Sequence, residues 1–514
     1  MPVLGLFTKQ DGAWRIDPAR LAVLVELVRQ VPRRAVLYIS ANHFVDAGVK
    51  LAAELAADPR NVMWTRTGPM KPGSYFIVGT TAWTLADLDA PVTRLREEGF
   101  RALLSAICAL PDDARARIAG VNVLGEVHQL FTGFPDRMGY DSWPDTTDYS
   151  PAALAGFRAF LAGKFPDIAA LNAATGFAFK SFAEVEAPSH DLHHEALHGF
   201  QQQLDQNAAG TLTLQGWALS ADAAKLTVSA WLDGKRIAAA PVWDNRLDVT
   251  DANPDLPSPN VGWQIHLDYT AIPFGIHLLD LLVEAPGHAP VLFAERHVVV
   301  DDRARDTPPP YAGHGVQAAP VSAWPGLRAT LDSPDDWTSL FYNPLARLWQ
   351  AWRQEQVRAY IAHFAGLVNS SCLGPGLSFS HQISPRLNSS WNADLLAVAT
   401  SEQPQQAYLP GTTLYGGAAF GDAFFAMARG LGWNSYAVTE MHPVFNLSVA
   451  DMAAMLERHR LAGARYVEPY YMSVQPKRTQ HDDNTLTHRR IFAGNPVQGA
   501  GAFYAAIEDL VRNH

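Results

Sequence analysis

Two glutamates sit where apolar runs stop: Glu126 closes "VNVLGE" and Glu440 closes "NSYAVTE". A carboxylate at the end of a buried strand is costly unless it serves a purpose, because desolvated charge is strongly unfavourable. A histidine follows each within two residues, His128 and His442. Two carboxylates converging on one cleft are what cleavage of a glycosidic bond needs. One donates a proton to the leaving oxygen, while the other attacks the anomeric carbon or activates water. Either glutamate alone could equally pair with an arginine or cap a helix; the two together point to catalysis.

A second constellation points elsewhere. His194-Glu195-x-x-His198 has the spacing that sets two zinc ligands on one helical face. A third ligand is missing: "GFQQQLDQNAAG" has no histidine, and no glutamate occurs between His198 and Glu284. The run therefore reads as solvent-exposed linker histidines, and neither a metal nor a cofactor is expected.

The elements that must position the glutamates form three regions. Residues 1–200 alternate apolar runs ("PVLGLFT", "AVLYISA", "YFIVGTT", "RALLSAI", "VNVLGEV") with stretches at helical spacing such as "PARLAVLVELVRQV" and "LDAPVTRLREEG". That rhythm predicts parallel strands joined by helices. Residues 205–301 carry strands without helices, with Asp233-Gly234 as one turn, and predict an inserted all-β sandwich of immunoglobulin-like size. Residues 302–335, containing "RDTPPPYAGHGVQAAPVSAWPG", predict a Pro/Gly-rich linker. From 336 to 514 the β-α rhythm returns, with strands "GLSFSHQI", "TTLYGG", "NSYAVTEMH" and "ARYVEPYYM". The fold class is α/β: a (β/α)8 TIM barrel interrupted by the sandwich, with an open doubly wound sheet as its rival.

In such a barrel the chemistry lies at the carboxyl ends of the strands. Loop positions there are candidates to hold sugar hydroxyls: Asn42 and His43, then His381, Arg386, Asn388 and Trp391, then His442, Glu468 and Tyr470. Trp391 is the ring singled out for stacking on a sugar face. Trp349 and Trp352, three residues apart on a predicted helix, read as core.

Composition narrows the partners. The chain has 514 residues and a net charge of −11, which speaks against nucleic acid or an anionic membrane surface. No apolar run is long enough to span a bilayer. The start "MPVLGLFTKQDGAW" lacks a secretory pattern, so a cytoplasmic location is the expectation. Cys108 and Cys372 are the two cysteines, far apart in sequence, so neither a disulfide framework nor a zinc cluster is expected.

The stretch "VNVLGEVHQLF" followed by "FRAFLAGKFPDIAALNAATGFAFKSFAEVEAP" resembles the acid/base region of family 42 glycoside hydrolases, a family of β-galactosidase type. Phe157, Arg158, Leu161, Lys164, Phe165, Leu171, Asn172, Ala174 and Gly176 match its pattern in order. The resemblance implies a retaining barrel with Glu126 as acid/base, at the end of strand 4, and Glu440 as nucleophile. Their carboxyl groups would then lie about 5–5.5 Å apart. It also places Tyr415 to hydrogen-bond the nucleophile, and implies a dimer or trimer. The chain departs from the pattern at Gly125, where the clan carries an asparagine that holds the sugar 2-hydroxyl, and in lacking the family's cysteine zinc cluster. The sandwich resembles a small β-domain attached to bacterial surface-polysaccharide proteins, which favours an oligosaccharide or exopolysaccharide substrate. The alternative is a non-catalytic polysaccharide-binding or assembly protein on the same barrel, for which Gly125 speaks.

Overall fold

The computed structural model describes residues 2–41, 43, 48–75, 78–129, 146–222, 224–244, 246, 249, 252–253, 260–303, 307–311, 313–384, 406–415, 419, 421–442, 448–469, 505–509 and 512. It is a mixed α/β protein whose parallel strands form a three-stranded and a four-stranded sheet, joined through residues 378–383.

In chain order the parallel strands and their helices are α1 (Pro18–Gln30), β1 (Ala35–Ser40), α2 (Pro91–Cys108), β2 (Ile118–Leu124) and α3 (Pro151–Lys164). After the all-β region come α4 (Pro344–Asn369), β3 (Ser378–Phe379), β4 (Gln382–Ile383), β5 (Gly411–Tyr415), α5 (Asp422–Gly430), β6 (Tyr436–His442), α6 (Val449–Leu461) and β7 (Ala464–Pro469). Four of these six helices begin at a side-chain cap: Asp17, Ser150, Asn343 and Ser448 each accept a hydrogen bond from a first-turn amide.

β1 pairs with β2, β2 with β3, β4 with β5, β5 with β6 and β6 with β7, all parallel. The neighbours therefore follow chain order, and the reversal that an open doubly wound sheet requires does not occur among the described strands. Together the two sheets are rolled. Tyr466 of β7 lies against Gly120 of β2, and a Cβ added at Gly120 would stand 3.1 Å from both the Phe379 and Tyr466 rings. β2 and β7 belong to different sheets, so this contact brings the two sheets face to face around a shared interior. On the outer side α2 and α4 cover β2, with Phe100 and Phe364 ring to ring at 4.9 Å.

Three expectations are corrected. "RALLSAI" is the second half of α2, because Phe100, Leu103, Leu104 and Ile107 continue the helical stripe begun by Val92 and Arg96. "YFIVGTT" falls in a small antiparallel hairpin, Gly73–Tyr75 against Val78–Thr80. The start of the chain contributes a single bridge, Pro2 to Ser40, before turning into the antiparallel hairpin Phe7–Gln10 with Ala13–Ile16. Among the described residues Glu126 thus follows the second full parallel strand, where a fourth was expected.

The all-β region has two sheets. Lys235–Pro241, Thr227–Leu232, Gly275–Glu284 and Val291–Asp301 form an antiparallel ladder. Gly262–Asp268, Thr211–Ser220 and Leu327–Ser333 form the other. Leu214, Trp263, Leu281, Val283 and Leu340 share one core between them. Asp233 and Gly234 both take positive φ, as a two-residue hairpin turn demands. The linker expected over 302–335 is partly sheet: Leu327–Ser333 pairs with Thr211–Ser220, and Ala319–Pro320 runs parallel to Val291 and Leu292. The alternation Leu327, Ala329, Leu331 against Arg328, Thr330, Asp332 explains the strand.

Cys108, at the end of α2, and Cys372, just beyond α4, form a disulfide, so the two cysteines are not the independent residues their separation led us to expect.

Candidate active site

Side chains alternate along a strand, so Gly120 and Asn122 face the same side of β2, as do Tyr466 and Glu468 on β7. Applied round the rolled sheet, this rule puts a layer of polar groups inside it: Tyr38, Asn122, His381, Thr413, Glu440 and Glu468. Glu126 joins them from just past β2. The strand ends in two successive left-handed residues, Leu124 (φ 70°) and Gly125 (φ 74°), which turn the chain so that the Glu126 carboxyl enters the pocket. A glycine meets the second of these at no steric cost.

His381 is the hub. It is fully buried, with Nε2 2.9 Å from Thr413 Oγ1, 3.2 Å from Glu440 Oε2 and 3.8 Å from Glu126 Oε1. Its Nδ1 lies 3.2 Å from both the Tyr38 hydroxyl and Asn122 Nδ2. The Thr413 hydroxyl lies 3.3 Å from Glu126 Oε1. On the other flank His442 Nε2 stands 2.6 Å from Glu440 Oε1, and Tyr415 stacks on the His442 ring at 4.4 Å. Among the described residues the charged partners of the two glutamates are histidines, not arginines.

The environment drives the two carboxyl groups apart. Burial, reinforced by the Glu440 charge, pushes Glu126 up to about 7. Glu440 is also buried, but hydrogen bonds from His381 and His442 outweigh that and hold it well below the ordinary carboxylate range. Glu468, the third carboxylate, is raised by desolvation and has one buried oxygen, Oε2, without a hydrogen-bond partner. Below about pH 7 Glu126 keeps its proton beside a Glu440 that has lost its own, the division of labour expected of an acid and a nucleophile or base.

The other expected contacts divide four ways. Tyr415 reaches Glu440 through the His442 ring. His381 and His442, expected on the face that holds sugar hydroxyls, lie beneath the carboxylates with side chains 0% and 3% exposed. His43 is buried and holds backbone, its Nε2 2.5 Å from the His128 carbonyl oxygen and its Nδ1 accepting the Trp83 amide. Asn42, Arg386, Asn388, Trp391 and Tyr470 lie outside the described residues. Tyr38, Asn122 and Thr413 are the members that sequence reasoning missed; each is a polar residue on the inward register of a strand rich in apolar neighbours.

The zinc-like run contains no α-helix over residues 191–199, so its two histidines do not share a helical face. Glu195 instead pairs with Arg66 at 2.8 Å. Two other triads, Glu126–His381–Glu440 and Asp191–His193–Asp205, have ligand-type atoms within 4.8 Å of one another. In both an imidazole nitrogen already stands between the carboxylates; in the second, His193 Nδ1 is 2.7 Å from Asp191 and 3.5 Å from Asp205.

No protein-family model matches the chain, and no curated protein matches it. Among solved structures, the catalytic domain of a β-amylase from Paenibacillus polymyxa superposes with a TM-score of 0.46 and 8% identity. The superposition covers 91% of this chain and 83% of that one. A match this loose assigns neither family nor substrate, and the functional reading rests on the site.

Proposed function

We propose that this chain is a glycoside hydrolase acting by double displacement, with Glu126 as acid/base and Glu440 as nucleophile. The observation that carries the reading is the meeting of two carboxyl groups from distant strands in one pocket, with oxygens within 4.8 Å. Retaining enzymes hold their carboxyl groups about 5–5.5 Å apart, whereas inverting ones need about 6.5–9.5 Å to admit a water. The opposed protonation of Glu126 and Glu440 supports the same roles. On this reading the rolled sheet is a (β/α)8 barrel, the all-β region an immunoglobulin-like insertion, and the substrate a bacterial oligosaccharide or exopolysaccharide. The Cys108–Cys372 bond favours work in an oxidising compartment over the cytoplasm, since such bonds are rare in reducing cytosol.

A second reading, a polysaccharide-binding protein on the same scaffold, draws on Gly125, which offers no side chain to hold a sugar hydroxyl. Hydrolysis of a panel of aryl glycosides separates the two. Turnover that drops by several orders of magnitude in Glu440→Ala supports the hydrolase. Absence of turnover on every aryl and polymeric substrate, with retained polysaccharide binding, supports the second reading.

A further inference from the structure

We propose that His381 is a positioning residue for both glutamates. Its Nε2–H, shared between Glu440 and Thr413, orients the nucleophile and, through the Thr413 hydroxyl, keeps the transferable proton of Glu126 on the outer oxygen. The inference deepens the hydrolase reading and rests on it.

The hydrogen-bond directions follow from which atoms can donate. An ionised Glu440 carboxylate only accepts, so the proton between it and His381 at 3.2 Å belongs to Nε2. The same N–H lies 2.9 Å from Thr413 Oγ1, which therefore accepts there and spends its own hydrogen on Glu126 Oε1 at 3.3 Å. With Oε1 accepting, the proton that Glu126 holds up to about pH 7 sits on Oε2. That oxygen is the one free to meet a leaving group. His442 completes the clamp from the opposite flank, giving Glu440 Oε1 a second imidazole contact at 2.6 Å. One imidazole thereby orients the Glu440 carboxylate and fixes which oxygen of Glu126 carries the proton, without touching substrate itself.

The other ring nitrogen shows how His381 carries charge. Nδ1 faces the Tyr38 hydroxyl and the Asn122 amide, and Asn122 Oδ1 is buried without a hydrogen-bond partner. The two ends of that amide interchange on a half-turn. Turned so that Oδ1 meets the ring, Asn122 accepts an Nδ1–H, and the ring holds two protons. The titratable groups facing it are Tyr38 from β1, Glu126 and His128 beyond β2, Glu440 from β6 with His442 on its far side, and Glu468 from β7. Burial alone would discharge the ring, but the hydrogen bond to Glu440 and the charges of Glu126, Glu440 and Glu468 carry it above the ordinary histidine value.

The test is the pH dependence of kcat/KM in His381→Gln, which keeps an amide donor but removes the cation. Both limbs are expected to move to higher pH by about 1 unit, because a carboxyl group that loses a cationic neighbour within hydrogen-bond reach titrates higher. A fall in kcat of tenfold or more with little change in KM is expected alongside. Thr413→Val should move the basic limb alone. A lower kcat with both limbs unmoved would make His381 merely structural and overturn the proposal. If no substrate is turned over, the hydrolase reading fails by itself, and nitrogen-15 resonances of the histidines in the full chain still judge this one. The His381 ring is expected to carry two protons at neutral pH and to lose one in Glu440→Gln; a ring already neutral in the unaltered protein at neutral pH overturns the proposal.

Discussion

A carboxyl group that is to donate a proton at neutral pH must still hold one there, and the same burial that achieves this charges the fold for its ionisation. Glu126 is raised from 4.5 to about 7, so its contribution to stability is full in acid and is lost as pH climbs through about 7. Glu126→Gln removes that loss. Its thermal midpoint should exceed that of the parent protein above pH 7, by the equivalent of about 1–3 kcal/mol, and the gap should close toward pH 5. Equal midpoints across this range would mean that the carboxyl is solvated rather than desolvated. Glu126 and Glu440 stood out in the sequence because a charged residue ending an apolar strand has few inexpensive structural explanations. The histidines beneath them were visible too, but as sugar contacts rather than as partners of the carboxylates. His381 ends an apolar run in the same manner, and position along a strand does not tell a side chain in the mouth of a pocket from one a layer below it. Tyr38 and Thr413 are polar types common in ordinary strands, and only the joint inward register of all the strands, a property of the rolled sheet, sets them apart.

Elements were legible where one periodicity dominated. The strand "AVLYISA", the helix over "LARLWQAWRQEQVRAYIAHFAGLV" and the antiparallel strands around Asp233-Gly234 each carry one clear period. "RALLSAI" is short and apolar, and its helical membership shows only when it is joined to the turns before it. Leu327–Ser333 was masked by the prolines and glycines upstream of it, although its own alternation is regular. The curvature of the sheet is a property of elements in combination, and Gly120 tests it. Its missing Cβ lets the Phe379 and Tyr466 rings approach from strands on either side of the interior. Gly120→Val should cost about 1–3 kcal/mol by overpacking, read from the urea midpoint. A suitable control is Gly163, near the end of α3, where a Cβ meets nothing within 4 Å. Gly163→Ala should stabilise by about 0.5–1 kcal/mol, because alanine loses less backbone entropy in a helix. A Gly120→Val protein as stable as its parent would mean that β2 and β7 do not meet across the interior.

At the scale of the molecule, the problem is to keep two β-α segments in register when an all-β region separates them along the chain. Two devices act on it. Asn343, fully buried at the return point, caps α4 through Leu345 and donates to the Gln201 and Gln203 carbonyls at 3.1 and 2.8 Å, which ties the exit of the insertion to its entry. The second is the Cys108–Cys372 bond, which joins the end of α2 to the segment beyond α4 across a sequence separation of 264. Distance in the chain concealed this pairing, yet that same distance makes the bond effective. In the chain-entropy account, closing so long a loop in the unfolded state is worth about 5 kcal/mol, an upper figure when the denatured chain keeps residual structure. The paired variant Cys108→Ser with Cys372→Ser should therefore unfold at a clearly lower denaturant midpoint than the oxidised protein. Dithiothreitol should lower the parent protein toward the variant and leave the variant unmoved. A parent protein indifferent to the reductant, with no free thiols released on unfolding in its presence, would show a bond that resists reduction. One whose two thiols react before any reductant is added would show that the segments are held together by Asn343 and packing alone.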